Sequence, residues 1–317
     1  MPALPPPMAE WLAMLGEQRR YSAHTLASYR RDLQLLCSTL DALALERISE
    51  GHVRHAVARL HAAGHHPRSL ARMLSAWRGF FAWWAPRAGL PLNPVSGVKA
   101  PKASRPLPKA LSVDQTQSLL DRSGLPPPGT AVEWRDQAMF EVLYSSGLRL
   151  AELVSLDVRP VRTATHESVS WIDLEAGEAV VRGKGGKTRS VPLGRKAVDA
   201  LRQWLQRRHE LQRTPAPSDD AGAALFLGVR GARIAPRVVQ KQLAALAVRA
   251  GLPVHVHPHS LRHSFASHLL QSAQDLRAVQ ELLGHANIST TQIYTRLDFQ
   301  HLAQVYDKAH PRAGRKS

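Results

Sequence analysis

The chain has 317 residues, 44% hydrophobic and 21% charged, enough for two ordinary domains and too many for one comfortable core. No apolar run reaches the roughly 18–20 residues of a membrane helix, and the proline-rich stretch Met1 to Glu10 lacks the basic-then-apolar order of a secretory signal. The single cysteine, Cys37, excludes an intrachain disulfide and a cysteine-based metal cluster, so a cytoplasmic location is expected.

The formal net charge is +17 and the pI about 10.9. The excess is spread along the chain: residues 1–108 carry 14 basic and 6 acidic side chains, and the remainder 28 and 19. Arginine outnumbers lysine 33 to 9. A bias toward arginine codons would give the same excess, but guanidinium forks also grip phosphates through two bonds at once. Nucleic acid is the leading partner.

The first third reads as four helices. Met8 to Arg20 places Met8, Trp11, Leu12 and Leu15 on one face, and the next helix, after a Ser22 or Thr25 cap, runs through Leu26, Tyr29, Leu33, Leu36 and Leu40. A third spans Ser49 to Ala63 and stops at Gly64. The fourth, Ser69 to Ala88, carries Leu70, Met73, Leu74, Trp77, Phe80, Phe81 and Trp84. Their helical spacing makes that stripe core rather than a base-stacking platform. Residues 1–90 are therefore an all-α bundle. Cys37 lies on an apolar-periodic stretch and reads as a small core residue. Residues 91–110 hold closely spaced prolines, four basic residues and no acidic one, which predicts a stiff basic linker suited to a DNA backbone.

Residues 111–317 read as a second, mixed α/β domain. Ser112-Val113-Asp114-Gln115 starts a helix, and Arg135 to Tyr144 is a buried helix ending at Gly147. Ala179 to Arg182, a glycine-rich turn and Lys187 to Pro192 form a β-hairpin. Pro160 to Trp171, with His166, reads as an inserted loop. Arg195 to Arg213 is helical. Thr214 to Ala223 is a surface loop whose Asp219 and Asp220 have no partners, which argues against a two-metal nuclease. Further helices cover Pro236 to Ala250, Ser260 to Gln271, Leu276 to Leu283 and Leu297 to Lys308. The expected fold class is mainly α with a small β-sheet.

No Gly-x-x-x-x-Gly-Lys-Ser/Thr phosphate cradle occurs. His255-Val256-His257-Pro258-His259 with His263 invites a metal reading, but Pro258 interrupts the strand and no acidic anchor lies nearby, so no metal is expected. A second set is richer. Arg149 follows Gly147 at a helix junction, and Lys184 sits on the hairpin turn, with Lys187 as the alternative. His259 and Arg262 are three apart on one helix face, His285 follows a helix-ending glycine, and Tyr294 closes Ser289-Thr290-Thr291-Gln292-Ile293. His263 points about 100° away from Arg262 and reads as structural.

In that order, together with Gly147-Leu-Arg-Leu-Ala-Glu-Leu153, His259-Ser-Leu-Arg-His-Ser-Phe-Ala-Ser-His268 and Leu282-Leu-Gly-His-Ala-Asn-Ile-Ser-Thr-Thr-Gln-Ile-Tyr294, the chain resembles the tyrosine recombinase (phage integrase) family over almost its whole length. It is most similar to the Xer subfamily, and its tail, Leu297 to Ala303 and His310 to Ala313, resembles the member that works beside XerD. The resemblance implies an all-α core-binding domain over 1–90 and a catalytic domain over 111–317 with an interaction helix at 297–309. It implies double-stranded DNA with a dif-like site as substrate, a XerD-like partner recombinase in a cyclic tetramer, a septal DNA translocase as accessory, and no cofactor.

The residue types suit that chemistry. A tyrosine hydroxyl that keeps the phosphoryl group as an ester makes strand breakage reversible without ATP. Arg149 and Arg262 would clamp the non-bridging oxygens as charge builds, and Lys184 would protonate the departing 5′-oxygen. His259 would act as base or hydrogen-bond partner, His285 would donate to a phosphate oxygen, and Glu152 would orient Arg149. Two alternatives remain open: a type IB topoisomerase-like enzyme that swivels and reseals, and a DNA-binding protein with an inactive site. If the C-terminal helix couples Tyr294 to a neighbouring protomer, deleting Phe299 to Ser317 should spare DNA binding in a gel-shift assay and weaken partner-dependent cleavage. Equal cleavage by the truncated chain would remove that coupling.

Overall fold

The computed structural model describes residues 4–41, 43–102, 110–183 and 187–272, and the chain divides into two compact units, Met1–Leu107 and Pro108–Ser317. The first unit is helical: α1 (Pro6–Glu17), α2 (Ala23–Thr39), α3 (Glu50–Ala62) and α4 (Pro67–Trp84), with a 3-10 turn at Leu45–Arg47. Ser22 and Ser49 cap α2 and α3 through their hydroxyls, and a proline opens α4 where no N–H is missed. The apolar faces meet in one core. Trp77, Phe80 and Phe81 are fully buried, so the aromatic stripe is packing surface. Trp11 stacks on Tyr29 at 5.8 Å and meets Phe80 edge-on at 5.9 Å. Cys37 is half-buried, its thiol pointing at the Met8 sulfur, and burial pushes its pKa up, away from reactivity.

The stretch after α4 departs from a simple spacer. Asn93 accepts from the Val95 N–H and donates to the Arg78 carbonyl, closing a turn that buries Val95 and Val98 in the first core. Arg78 in turn donates to the Val98 carbonyl at 3.0 Å. The first part of the proline-rich segment thus belongs to the helical unit. Its continuation, residues 103–109, lies outside the described residues.

The second unit is built around α6 (Ala131–Ser146), buried along nearly all its length from Ala138 to Ser146. Around it lie α5 (Val113–Leu120), α7 (Leu150–Val154), α8 (Arg195–Arg207), α9 (Asp219–Ala223), α10 (Pro236–Arg249) and α11 (Pro258–Ser272). A four-stranded sheet runs in the order β1 (Leu156–Asp157), β2 (Ser170–Asp173), β3 (Glu178–Arg182), β4 (Thr188–Pro192). The first pair is parallel and the other two antiparallel. The β3–β4 register pairs Arg182 with Thr188, and Gly183 N–H donates to the Lys187 carbonyl at 2.8 Å, so the hairpin stem is where alternation placed it. The fold is mainly helical with a small sheet.

Two expectations are corrected. Residues 214–223 are not all loop, since Ser218 caps the short α9, and Asp219 and Asp220 are not without partners. Asp219 accepts from the hydroxyls of Thr163 and Thr165 at 2.7 and 2.6 Å, and Asp220 accepts from Arg233 Nε at 2.7 Å. The 160–171 segment is correspondingly well anchored. Fully buried Asp157 accepts from His166, Ser168 and Arg233 at 2.8, 2.5 and 2.6 Å, and the backbones of Arg162 and Glu167 pair in an isolated antiparallel β-bridge. A buried carboxylate needs such partners, and these come from stretches far apart in sequence.

Where α6 ends, Gly147 adopts a left-handed φ of 58° and lies directly on the Phe265 ring of α11, which an added Cβ would overlap. Gly147→Ala should therefore cost about 2–4 kcal/mol from the strained dihedral and the overlap, read as a lower urea midpoint with unchanged slope.

Candidate active site

Arg149 and Arg262 reach one place from opposite directions. Arg149 precedes the first turn of α7, and its backbone N–H and one guanidinium N–H bond the Glu152 carboxylate at 2.8 and 2.9 Å. Arg262, one turn into α11, is buried and donates to the Gly147 carbonyl, so the glycine that ends α6 also holds this arginine. A recess of about 560 Å³ opens between them, lined by Arg149, Arg262, His259, His257 and Gln240. Arg149 also borders a second hollow of about 570 Å³ with Glu152, Ser170, Arg182 and Gly183. The helical spacing that aligned His259 with Arg262 thus brings both to Arg149, which lies more than a hundred residues earlier.

The electrostatics of the recess are set by two guanidinium groups and one buried carboxylate. Burial first, and then the charge of Arg149, lower the Arg262 pKa to about 10, with Glu152 working in the opposite direction. Arg262 therefore stays cationic at neutral pH, but at a cost that an incoming negative charge relieves. Glu152 behaves differently. Its burial opposes ionisation, yet bonds and charge from Arg189, followed by bonds from Arg149, outweigh it and hold the carboxyl below the usual range.

At the start of α11, His257 Nδ1 accepts from the Ser260 N–H at 3.1 Å and the His257 backbone N–H donates to the Ser260 hydroxyl, so His257 caps the helix that carries His259 and Arg262. The rings of His255, His257 and His259 follow one another at 6.1 and 6.3 Å, the second pair stacked. That is a row of imidazoles side by side rather than a set converging on one ion. Among the described residues, no group of three or more His, Cys, Asp or Glu is arranged to hold a metal. His263, next to Arg262, is half-buried.

Deeper in α11, Ser264 and His268 hold both backbone polar groups of Leu111, at 2.9 and 2.8 Å, while Tyr144 bonds the other nitrogen of His268 at 2.8 Å. Lys187, the alternative lysine, is exposed on the hairpin stem. Lys184, His285, Tyr294 and the 297–309 helix lie outside the described residues. Sequence reasoning missed Arg189, Gln240 and the capping role of His257, which it had weighed only as a metal ligand. The β4 alternation, which puts Arg189 on the same side as buried Val191, was a signal for the first of these. Gln240 and the His257 cap had none.

Two family models match the chain: the phage integrase family over residues 109–301 and the phage integrase N-terminal SAM-like domain over residues 8–87. Tyrosine recombinase XerC of Ralstonia pickettii (strain 12J) is 52% identical, covering 98% of this chain and 95% of the relative. Tyrosine recombinase XerC of Azotobacter vinelandii (strain DJ / ATCC BAA-1303) is 49% identical, covering 96% of each. Among solved structures, XerH recombinase bound to a palindromic difH substrate after cleavage superposes with a TM-score of 0.64 at 23% identity, covering 95% of this chain and 84% of that one.

The pKa values of His257 and His268 are both lowered, chiefly by burial. Depressed imidazoles contribute stability above the unfolded value of about 6.5 and lose it as pH falls below that. The thermal midpoint should thus drop between pH 7.5 and 5.5. His257→Asn, which keeps a capping acceptor that does not titrate, should shrink that drop.

Proposed function

The chain belongs to the phage integrase family and is a site-specific tyrosine recombinase, and from that premise we propose that Arg149, Lys184, His259, Arg262, His285 and Tyr294 form its reaction centre. The observation that carries this is the meeting of Arg149, at the start of α7, with His259 and Arg262 of α11 at one recess lined by two guanidinium groups.

A scissile phosphate in the recess would have its non-bridging oxygens clamped by the two guanidinium groups, whose charges oppose the one that builds on the pentacoordinate phosphorus. The Tyr294 oxygen forms the new bond to phosphorus and gives up its proton, with His259 as acceptor or hydrogen-bond partner. The bond from phosphorus to the 5′-oxygen breaks as Lys184 supplies that oxygen with a proton. The product is a 3′-phosphotyrosyl ester and a free 5′-hydroxyl. Attack by the 5′-hydroxyl of a partner duplex reverses the same steps and completes the exchange, so neither water nor ATP is consumed. His285 donates to a phosphate oxygen.

The substrate we assign is double-stranded DNA with a dif-like site, cut alongside a XerD-like partner in a cyclic tetramer during chromosome dimer resolution. The relatives named XerC support this, as does the difH-bound XerH fold. The helical unit, Met1–Leu107, acts as the second half of a DNA clamp, consistent with positive charge in both parts of the chain. A septal DNA translocase is the assigned accessory. Among the described residues, no helix is long and apolar enough to cross a membrane.

A nicked suicide duplex carrying the candidate site should trap a covalent protein–DNA adduct that Tyr294→Phe abolishes. Arg262→Ala should slow adduct formation by about 10²–10³-fold, as loss of one preorganised donor does elsewhere. Strand exchange between two marked sites, rather than plain supercoil relaxation, separates this function from a swivelling topoisomerase. An adduct that persists in Tyr294→Phe would refute the assignment.

A further inference from the structure

Arg189 is the best-anchored partner of Glu152, and nothing in the reaction outlined above uses it. It lies on β4 at an inward position, 9% exposed, and its guanidinium bonds the carboxylate as a fork, Nη1 to Oε1 at 3.0 Å and Nη2 to Oε2 at 3.1 Å. Glu152 itself is 5% exposed, whereas Arg149, which takes the remaining acceptor capacity of the same two oxygens, is 40% exposed. The three therefore form a graded row from core to recess: a buried arginine, a buried carboxylate and a rim arginine.

Gly183 makes room for this arrangement. A Cβ there would stand 3.1 Å from Arg189 Nη1 and 3.8 Å from Glu152 Oε1, tight against the fork. Without Arg189, the buried Glu152 carboxylate would lose the fork that fixes both of its oxygens and keep the backbone N–H of Arg149 and that residue's half-exposed guanidinium, a looser hold on the direction of the Arg149 side chain. A lysine could supply charge at position 189 but not the planar fork that fixes both oxygens at once.

We propose that Arg189 is a positioning residue for the recombination reaction: by locking the Glu152 carboxylate it sets the direction in which Arg149 faces the scissile phosphate, and ties the β3–β4 hairpin to the α7 end of the recess. The proposal rests on the phosphate-clamping role given to Arg149 above. It concerns geometry rather than contact, since Arg189 is too buried to touch DNA.

The test compares adduct formation on two suicide duplexes, one with the natural scissile phosphate and one with a methylphosphonate, in which a methyl group replaces a charged non-bridging oxygen. A clamp that neutralises charge matters less on the uncharged group. Arg149→Ala should therefore lower the phosphodiester-to-methylphosphonate rate ratio, by about 10²-fold. Arg189→Lys and Arg189→Met should lower it in the same direction, by about tenfold or more. Both rates come from one preparation, so the fraction of folded protein cancels. Val191→Ala, a cavity in the same strand, should lower the melting temperature and leave the ratio unchanged. If Arg149→Ala shifts the ratio while both Arg189 variants slow the two substrates in proportion, the positioning role is wrong and the clamp stands. If Arg149→Ala leaves the ratio unchanged, the clamp reading fails first and the Arg189 role goes with it.

Discussion

Two guanidinium groups held beside the same recess are the constraint around which the second unit is arranged. Burial disfavours the charge on Arg262 and the neighbouring charge of Arg149 adds to the cost, so the fold must supply acceptors that keep the pair together. It does so with neutral and anionic acceptors. The Gly147 carbonyl takes Arg262, and the Glu152 carboxylate takes Arg149 and is itself held by Arg189. Each anchor lies at the end of an element: Gly147 where α6 stops, Arg149 where α7 begins, Arg189 just inside β4. The central helix, the sheet and α11 are packed so that these ends coincide, and the left-handed glycine allows the closest approach.

Such preorganisation suits phosphoryl transfer without a metal. Charge that is fixed in place does not have to reorganise as the transition state forms, and a phosphate bound there as proposed would relieve the repulsion between the two guanidinium groups. The buried polar cluster around Asp157 has no comparable role. Its donors, His166, Ser168 and Arg233, fasten the β1–β2 connection to the body of the unit, with Asp219 and Asp220 holding the outer turns. A segment whose composition suggested a loose insertion is thereby part of the framework.

Much of this was legible in the chain alone, for definite reasons. Helix faces in residues 6–84 follow from apolar spacing, the β3–β4 stem from alternation around glycines, and the alignment of His259 with Arg262 from the helical repeat. Each depends on neighbours within a few residues. What stayed hidden depends on distant partners. The docking of Val95 and Val98 turns on a bond from Asn93 to Arg78, and the partners of Asp219 lie more than fifty residues upstream. Alternation along β4 marks Arg189 as facing inward, but only the folded sheet shows that it meets Glu152. Prolines between 91 and 108 announced an extended chain but not that its first part closes onto a core.

The position of α11 carries one more consequence. Its first residues, Pro258 and His259, line the recess, so the aligned peptide dipoles of a fifteen-residue helix point their positive end at the place where the phosphate would lie. That part of the attraction resides in the backbone and does not titrate. With a phosphate in the recess, as proposed for the reaction, that backbone contribution would remain when a single arginine or histidine is removed.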